Sequence, residues 1–462
     1  MPATEMTMTE LTCFKAYDIR GRLGDNLDED IARVIGRGFA LALGAKRVVL
    51  GRDIRASSEA LAAAVAEGLV AQGVEVLDLG LSGTEEMYFS TTHFGADGGI
   101  CVTASHNPMD YNGMKMVKAG SAPLDPATEL AKVKALAEAG GFTPAAVPGR
   151  VVPAEGAREA YVERVLSFVD VAALKPLKIL VNAGNGAAGP TFDALFDALE
   201  AAGAPLEVVR LHHDPDGSFP NGIPNPLLPE NQPVTAEAVV AEGADIGVAW
   251  DGDFDRCFLF DEKGGFIPGE YVVGLLAEAF LAKEPGAKIV HDPRVVWNTL
   301  DVVGRAGGEA VQSRTGHAFI KQVMRETGAV YGGEMSAHHY FRDFVACDSG
   351  MIPWLLVVEL MGRRGTALSE LVEARRAAFP SSGEINFRVE DVPAAVARVE
   401  AAFAPGAVAR DDTDGLSLAQ SDWRFNLRAS NTEPLLRLNV EARGDAALVA
   451  AKVAEIEALI AG

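Results

Sequence analysis

Cysteine is scarce in this chain. Cys13, Cys101, Cys257 and Cys347 lie far apart in 462 residues with no C-x-x-C pair, which argues against a disulfide framework and suits free thiols in a reducing, cytoplasmic setting. Basic residues are in deficit. Against 64 Asp and Glu stand 41 Lys and Arg, a formal charge of −23, so neither nucleic acid nor an anionic membrane surface is expected as a partner. No apolar run approaches the roughly 20 residues that span a bilayer, and no early segment joins a basic start to an uninterrupted apolar core, so neither membrane insertion nor secretion is expected. What is present, 48% apolar and 23% charged residues, is ordinary for a folded globular protein. The length exceeds one core and implies three or four domains, each burying roughly 60 to 70% of its unfolded surface.

The apolar run Gly99-Ile100-Cys101-Val102 ends in Thr103-Ala104-Ser105-His106-Asn107-Pro108, which places a hydroxyl on a loop stiffened by Pro108. That arrangement suits a nucleophile. Adjacent side chains on extended backbone point in opposite directions, so His106 is expected to be a poor base for Ser105. A G-x-S-x-G elbow is also missing, which disfavours a serine hydrolase.

A second apolar run, Ile246–Trp250, leads into Asp251-Gly252-Asp253-Phe254-Asp255-Arg256. Three carboxylates within five residues need a cation, and an all-oxygen ligand set favours Mg²⁺ over Zn²⁺. Arg256 offers a fork to phosphate oxygens beside such a metal. Arg428-Ala429-Ser430-Asn431-Thr432-Glu433-Pro434 combines a guanidinium, hydroxyls and turn N–H groups that suit an anion such as phosphate, although the same residues also make ordinary loops. In Gly333-Glu334-Met335-Ser336-Ala337-His338, the side chains of Glu334, Ser336 and His338 alternate, and on extended backbone would face one way, a face that fits either adjacent sugar hydroxyls or a buried, satisfied core cluster. Arg314-Thr315-Gly316-His317 adds a further candidate donor.

These loops, together with Lys15-Ala16-Tyr17-Asp18-Ile19-Arg20-Gly21 and the full stretch TASHNPMDYNGMK (Thr103 to Lys115), resemble in order and spacing the α-D-phosphohexomutase superfamily, and within it the bacterial phosphomannomutase branch. The resemblance implies an α/β protein with three related mixed α/β domains and a C-terminal α+β domain around a central cleft. It also implies interconversion of mannose 1-phosphate and mannose 6-phosphate through phosphorylated Ser105 and a hexose 1,6-bisphosphate, with glucose phosphates as further substrates. By the same resemblance Asp251, Asp253, Asp255 and Ser105 hold Mg²⁺. Lys115 and His317 sit near the reacting hydroxyls as proton carriers or charge stabilisers, with Tyr17 and Arg20 close by. Glu334, Ser336 and His338 contact the sugar, and Arg428, Ser430, Asn431 and Thr432 grip the phosphate not being transferred. The partners implied are small hexose phosphates, for a monomer or small homo-oligomer, and the pathway implied is GDP-mannose supply. Phe254 and Ala337 stand where the superfamily commonly has glycine, and Arg294 where it commonly has lysine; Arg294, with Tyr17, is grouped by the resemblance with the substrate contacts, its particular role left open.

A strand, loop and helix unit occurs three times, at Arg47–Leu50 into GRDIR, Lys178–Val181 into NAGNGAAG and Lys288–Val290 into HDPR. The separations, roughly 130 and 110 residues, are domain-sized. In the first unit Ser57 or Ser58 is expected to cap a helix over 60–72 that Gly73 ends. The domains are expected at 1–150 (nucleophile), 151–256 (metal), 257–367 (sugar) and 368–462 (phosphate). Three rivals remain. A Mg²⁺-dependent sugar phosphatase would use Asp251 as nucleophile, a nucleotide-dependent oxidoreductase would use Gly184-Asn185-Gly186-Ala187-Ala188-Gly189, and a sugar-phosphate binding protein would lack turnover.

Overall fold

The structure, a computed structural model, describes residues 10–429 and 435–462. The chain forms two compact units, one holding the residues up to Phe260 together with Asp343–Arg363, the other holding Asp261–Arg342 and Arg364 onward.

The first unit carries two sheets. In the first, strands run in the order Ile19–Arg22, Tyr111–Lys118, Gly98–Val102, Arg47–Arg52, Glu75–Leu81, Arg150–Pro153. The last four pair in parallel and the first two antiparallel. Parallel neighbours need a crossover, here the helices Ser58–Ala71 and Thr84–His93, and a sheet covered by helices is apolar throughout its centre. Accordingly every residue of Gly98–Val102 is buried, and Val48, Leu50, Val76 and Ile100 pack with Ile35, Phe39, Leu61, Val65 and Leu69. Buried strands thereby deliver polar loops at their carboxyl ends, where ligands bind in such sheets. The helix Ser58–Ala71 begins two residues earlier than expected and is followed by Gly73 at φ +80°. Ser57 occupies its N-cap position without bonding the helix amides. Its Oγ instead accepts from Asn112 Nδ2 at 2.8 Å, while Ser58 Oγ donates to Asp53.

The second sheet places Cys257–Asp261 beside Ile246–Trp250, then Leu177–Asn182 and Leu206–Leu211, the last three parallel. Strand pairing thus continues past residue 256, the boundary expected between the second and third domains. Glu85 lies wholly buried beneath this region, accepting from Tyr161 Oη and from Gly350 N at 2.7 Å. Burial pushes its carboxyl well above the usual range, despite opposing bonds from Ser349 and Tyr161. A raised acid withholds its proton release in the folded state, so its contribution to stability falls as pH rises from the unfolded value toward the folded one. Glu85→Gln is therefore expected to gain stability relative to the parent between about pH 5 and pH 8, as read by urea melts at each pH. A constant difference across that range would contradict the assignment.

In the second unit, Glu309–Gln312, Lys288–His291 and Tyr331–Gly333 pair in parallel, and His339–Phe341 returns antiparallel on Tyr331–Gly333. The expected repeat is present: strand Lys288–His291 feeds helix Trp297–Arg305, as Arg47–Arg52 feeds Ser58–Ala71 and Leu177–Asn182 feeds Ala188–Ala201. The last sheet is wholly antiparallel, in the order Ser381–Arg388, Leu435–Ala442, Trp423–Ala429, Leu416–Ala419, Ala409–Asp411. Helices Val392–Phe403 and Ala446–Ala461 bury Val399, Phe403, Val449 and Ile456 against Phe425, Leu436, Leu438 and Val440. Asp445 caps the final helix through Leu448 N at 2.8 Å. Three related α/β units and an α+β unit are thus present. All four cysteines are buried and unbridged. Among the described residues no helix is long and apolar enough to cross a membrane.

Candidate active site

Ser105 follows the buried strand Gly98–Val102 and adopts φ +49°, the left-handed region. Its N–H is held by Thr103 Oγ1 at 2.8 Å, and Asn107 N closes a turn onto Ala104 O at 2.9 Å. The expectation that Ser105 and His106 diverge is corrected here. It assumed extended backbone, whereas the left-handed turn brings Ser105 Oγ to 3.0 Å from His106 Nδ1. Arg256 Nη2 also donates to that nitrogen, so Nδ1 is an acceptor and carries no proton. The single hydroxyl proton goes to Asp251 and not to that nitrogen: Ser105 Oγ donates to Asp251 Oδ2 at 2.6 Å, an oxygen that also accepts from Arg256 Nη2 at 2.6 Å and Nε at 3.0 Å. Arg256 Nη2 lies 3.4 Å from Ser105 Oγ.

Asp251, Asp253 and Asp255 are at most 1% exposed, with one oxygen from each within 4.8 Å of the others. The Oδ1 atoms of Asp251 and Asp253 are buried with no hydrogen-bond partner. Buried carboxylates gathered in this way, two of them with an oxygen left unpartnered, fit a hard cation, and the set contains neither His nor Cys. Lys115 comes from the antiparallel strand Tyr111–Lys118 and bridges Asp253 Oδ2, at 2.7 Å, and Asp255 Oδ2. Burial favours loss of its proton, but Asp253 and Asp255 outweigh burial and hold the ammonium charged. Burial likewise opposes ionisation of Asp253, yet Lys115 holds its carboxyl well below the usual range. Arg20 donates to Thr103 O at 3.0 Å and Asp18 at 3.0 Å, and feels Asp253 and Asp255. Tyr17 is half-buried in the turn before it. Four carboxylates, Asp18 included, stand against three cations, Lys115, Arg256 and Arg20, so a divalent ion would turn a net negative charge into a net positive one beside Ser105, which suits an anionic group there.

Two close packings fix this geometry. A Cβ on Gly252 would lie 2.6 Å from Ser105 O, so Gly252→Ala is expected to displace the Ser105 loop and, if chemistry depends on that hydroxyl, to lower kcat about 10²-fold with the fold retained, measurable by steady-state kinetics beside circular dichroism. Phe254, at φ +46° and fully buried, lays its ring where a Cβ on Gly83 would come within 2.3 Å. The neighbouring Thr84 holds Asp253 through its hydroxyl, and its N–H through Asp253 O at 3.2 Å. Gly83 and Thr84 open the helix Thr84–His93 and were missed from sequence, since a short turn before a helix carries no sign of a partner some 170 residues away. The glycine loop of the oxidoreductase rival is already occupied. Ala187 N donates to Gly252 O at 3.1 Å, and a Cβ on Gly186 would meet that same oxygen at 3.0 Å, so the amide a pyrophosphate needs is taken.

In the second unit, the stretch Glu334 to His338 is a tight turn and not extended backbone. Ala337 N closes onto Glu334 O at 3.1 Å and Glu334 N onto His338 O at 2.9 Å, with Ala337 at φ +68°. The alternation expected of these side chains is therefore corrected: the antiparallel return of His339–Phe341 requires a reversal here. Glu334 Oε1 accepts from Gly316 N at 3.0 Å and Oε2 from Tyr340 Oη at 2.6 Å. It thereby ties the turn to the start of the helix His317–Thr327, whose first residue is His317. The His338 ring stacks on Tyr340 at 6.1 Å. Arg294, 4% exposed, donates to Asp292 Oδ2 at 2.8 Å and Ser336 Oγ at 3.3 Å, and lies 3.6 Å from both Glu334 and Glu384. Arg428 reaches Glu384 at 2.8 Å and Arg437 reaches it at 3.2 Å. Burial opposes ionisation of Glu384, but Arg294 and Arg428 hold its carboxyl below the usual range. With Asp292 and Glu334 also beside Arg294, three carboxylates match the three guanidiniums, so an anion here would be held by the forks of these arginines and not by a surplus of charge. Ser430, Asn431 and Thr432 lie outside the described residues.

Both residues that replace a common glycine, Phe254 and Ala337, have positive φ, which accounts for the glycine. Ala337→Gly is expected to stabilise by up to about 1 kcal/mol, relief of strain exceeding the added chain entropy. Phe254→Gly is expected to destabilise by about 3 kcal/mol, because the buried ring outweighs the same relief. Urea melts decide both, and equal effects at the two sites would contradict the distinction.

Models of the phosphoglucomutase/phosphomannomutase family match in chain order: alpha/beta/alpha domain I at residues 12–143, domain II at 159–265, domain III at 268–379 and the C-terminal domain at 384–459. A phosphomannomutase of Salmonella typhimurium is 61% identical over 454 residues, covering 98% of this chain and 100% of the relative. One from Escherichia coli K12 is 58% identical over 454 residues, with the same coverage. Phosphohexose mutases of Xanthomonas campestris are 57% identical over 455 residues, again covering 98% and 100%. A crystal structure of a phosphoglucomutase/phosphomannomutase family protein from Burkholderia thailandensis superposes with a TM-score of 0.85 at 36% identity, covering 97% of each chain.

Proposed function

Because the chain belongs to the phosphoglucomutase/phosphomannomutase family of phosphohexose mutases, we propose that it is the isomerase interconverting mannose 1-phosphate and mannose 6-phosphate, with Ser105 as phosphoryl carrier. The observation that carries the assignment of Ser105 is its hydroxyl, 2.6 Å from Asp251 in a nest of three carboxylates with Arg256 3.4 Å away.

Ser105 Oγ gives its phosphoryl group to the free hydroxyl of a bound hexose monophosphate. The bond from phosphorus to Ser105 Oγ breaks as the bond to the sugar oxygen forms, leaving a hexose 1,6-bisphosphate. After the sugar turns over, its other phosphate returns to Ser105. Bound at Asp251, Asp253 and Asp255, Mg²⁺ would neutralise charge on the transferred oxygens. Arg256 does the same from the protein side, and phosphoryl transfer asks for little beyond position and charge. Lys115 is held charged by its carboxylates, which supports charge stabilisation over proton abstraction. His317 is the other candidate for proton carrier or charge stabiliser that the family resemblance supports, with Tyr17 and Arg20 completing the nucleophile's surroundings. Glu334, Ser336 and His338 contact the sugar hydroxyls, and Arg428, Ser430, Asn431 and Thr432 hold the second phosphate. Arg294 positions Ser336 and Glu334, a role that its four polar neighbours support.

Glucose phosphates are further substrates on this reading, since the two sugars differ in the orientation of one hydroxyl. The four functional divisions at 1–150, 151–256, 257–367 and 368–462, a monomer or small homo-oligomer, and a cytoplasmic setting in keeping with four unbridged thiols complete the proposal. The aspartyl phosphatase alternative finds no support among the relatives, and Asp251 Oδ2 already accepts from both Ser105 and Arg256. Phosphorus NMR of the protein with mannose 1-phosphate, Mg²⁺ and a trace of hexose 1,6-bisphosphate tests the function. Mannose 6-phosphate is expected to appear; inorganic phosphate alone would restore the phosphatase.

A further inference from the structure

Arg55 has no part in the residue sets above, yet it is 4% exposed and its guanidinium is committed to the nucleophile loop. Nη2 donates to Ser105 O at 2.9 Å and Asn107 O at 2.5 Å, and Nη1 to Pro108 O at 2.9 Å and Tyr111 O at 3.2 Å. A buried guanidinium ordinarily meets a carboxylate in hydrogen-bond contact. Here the nearest, Asp53, stands 3.7 Å from Nε. Asp53 Oδ1 instead accepts from Arg55 N at 3.0 Å and from Ser58 Oγ, fixing the turn that presents Arg55. The ring of Phe219 lies 5.8 Å behind the guanidinium.

The loop needs holding. A left-handed non-glycine residue is strained and persists where its surroundings over-determine it. Ser105 is such a residue, and its carbonyl is fixed by Arg55 and approached closely by Gly252. We propose that Arg55 is a positioning residue of the phosphoserine loop, bonding four carbonyls so that Ser105 Oγ stays aimed at Asp251 and Arg256. The proposal rests on the mutase reading. Because the bonds run to main-chain oxygens, no side-chain change within the loop replaces them. A lysine, lacking the planar fork, satisfies fewer of the four.

The test is Arg55→Lys and Arg55→Ala beside the parent enzyme, with mannose 1-phosphate and saturating Mg²⁺. For Arg55→Lys kcat is expected to fall about 10²-fold, with KM changed less than about threefold. The phosphorus resonance of phosphorylated Ser105 is expected to shift or broaden, and added methylguanidinium to restore part of the activity of Arg55→Ala. A folded Arg55→Lys with parental kcat, or a loss confined to KM, would overturn the proposal. Should that variant not fold, Phe219→Leu removes the ring and leaves the carbonyl bonds. A several-fold lower kcat at constant KM is then expected, and an unchanged kcat would overturn the clamp. If the parent itself turned over no sugar phosphate, the mutase reading would fail and this inference with it, whereas a failed clamp leaves parental turnover intact.

Discussion

Ser105→Ala is expected to lower mutase turnover by at least about 10³-fold while leaving the fold and sugar-phosphate affinity nearly unchanged. The substitution removes one oxygen from a site where the hydroxyl makes a 2.6 Å bond to Asp251, and no second hydroxyl replaces it: Thr103 Oγ1 is engaged by Ser105 N. Without the carrier, a bound monophosphate has no phosphoryl donor. Coupled-enzyme kinetics measure the loss, and calorimetry with mannose 1-phosphate measures the retained binding. Turnover within tenfold of the parent would show that another residue carries the phosphoryl group.

Removal of the divalent ion is expected to have an effect of similar size, about 10³-fold or more in kcat, since charge neutralisation dominates phosphoryl transfer. The parent should also melt at a higher temperature with added Mg²⁺, by ligand linkage. Asp253→Ala should abolish both responses. The variant loses one orphaned oxygen and one partner of Lys115, so the candidate metal set falls from three carboxylates to two and the ammonium of Lys115 is left less neutralised beside it, which weakens the site for a divalent ion. Differential scanning calorimetry across a Mg²⁺ titration reads this without recourse to activity. A Mg²⁺-dependent rise in melting temperature as large in Asp253→Ala as in the parent would place the metal elsewhere.

What the sequence revealed was set by locality. Buried strands such as Gly98–Val102 and Ile246–Trp250 announce themselves as apolar runs, and the polar residues directly after them must lie at their carboxyl ends. Ser105, the three aspartates and Arg256 could be named for that reason. The strand, loop and helix repeat was legible likewise. Backbone hand was not: a serine and a histidine read as extended, and therefore divergent, converge because Ser105 is left-handed. The turn from Glu334 to His338 was misread for the same reason, since a reversal closed by two main-chain bonds needs no proline or glycine to mark it. Arg55 was invisible for a different reason. Its partners are carbonyl oxygens some 50 residues along the chain, which every residue type supplies.

Isotopic labelling tests the phosphoserine mechanism most directly. The enzyme is incubated with glucose 1,6-bisphosphate carrying radioactive phosphorus, digested, and its labelled peptide sequenced, with a parallel sample chased with mannose 1-phosphate. An acid-stable label on Ser105 that passes to mannose on the chase is the expected result. A labile acyl phosphate on Asp251, or a label on Ser105 that never reaches the sugar, would contradict it.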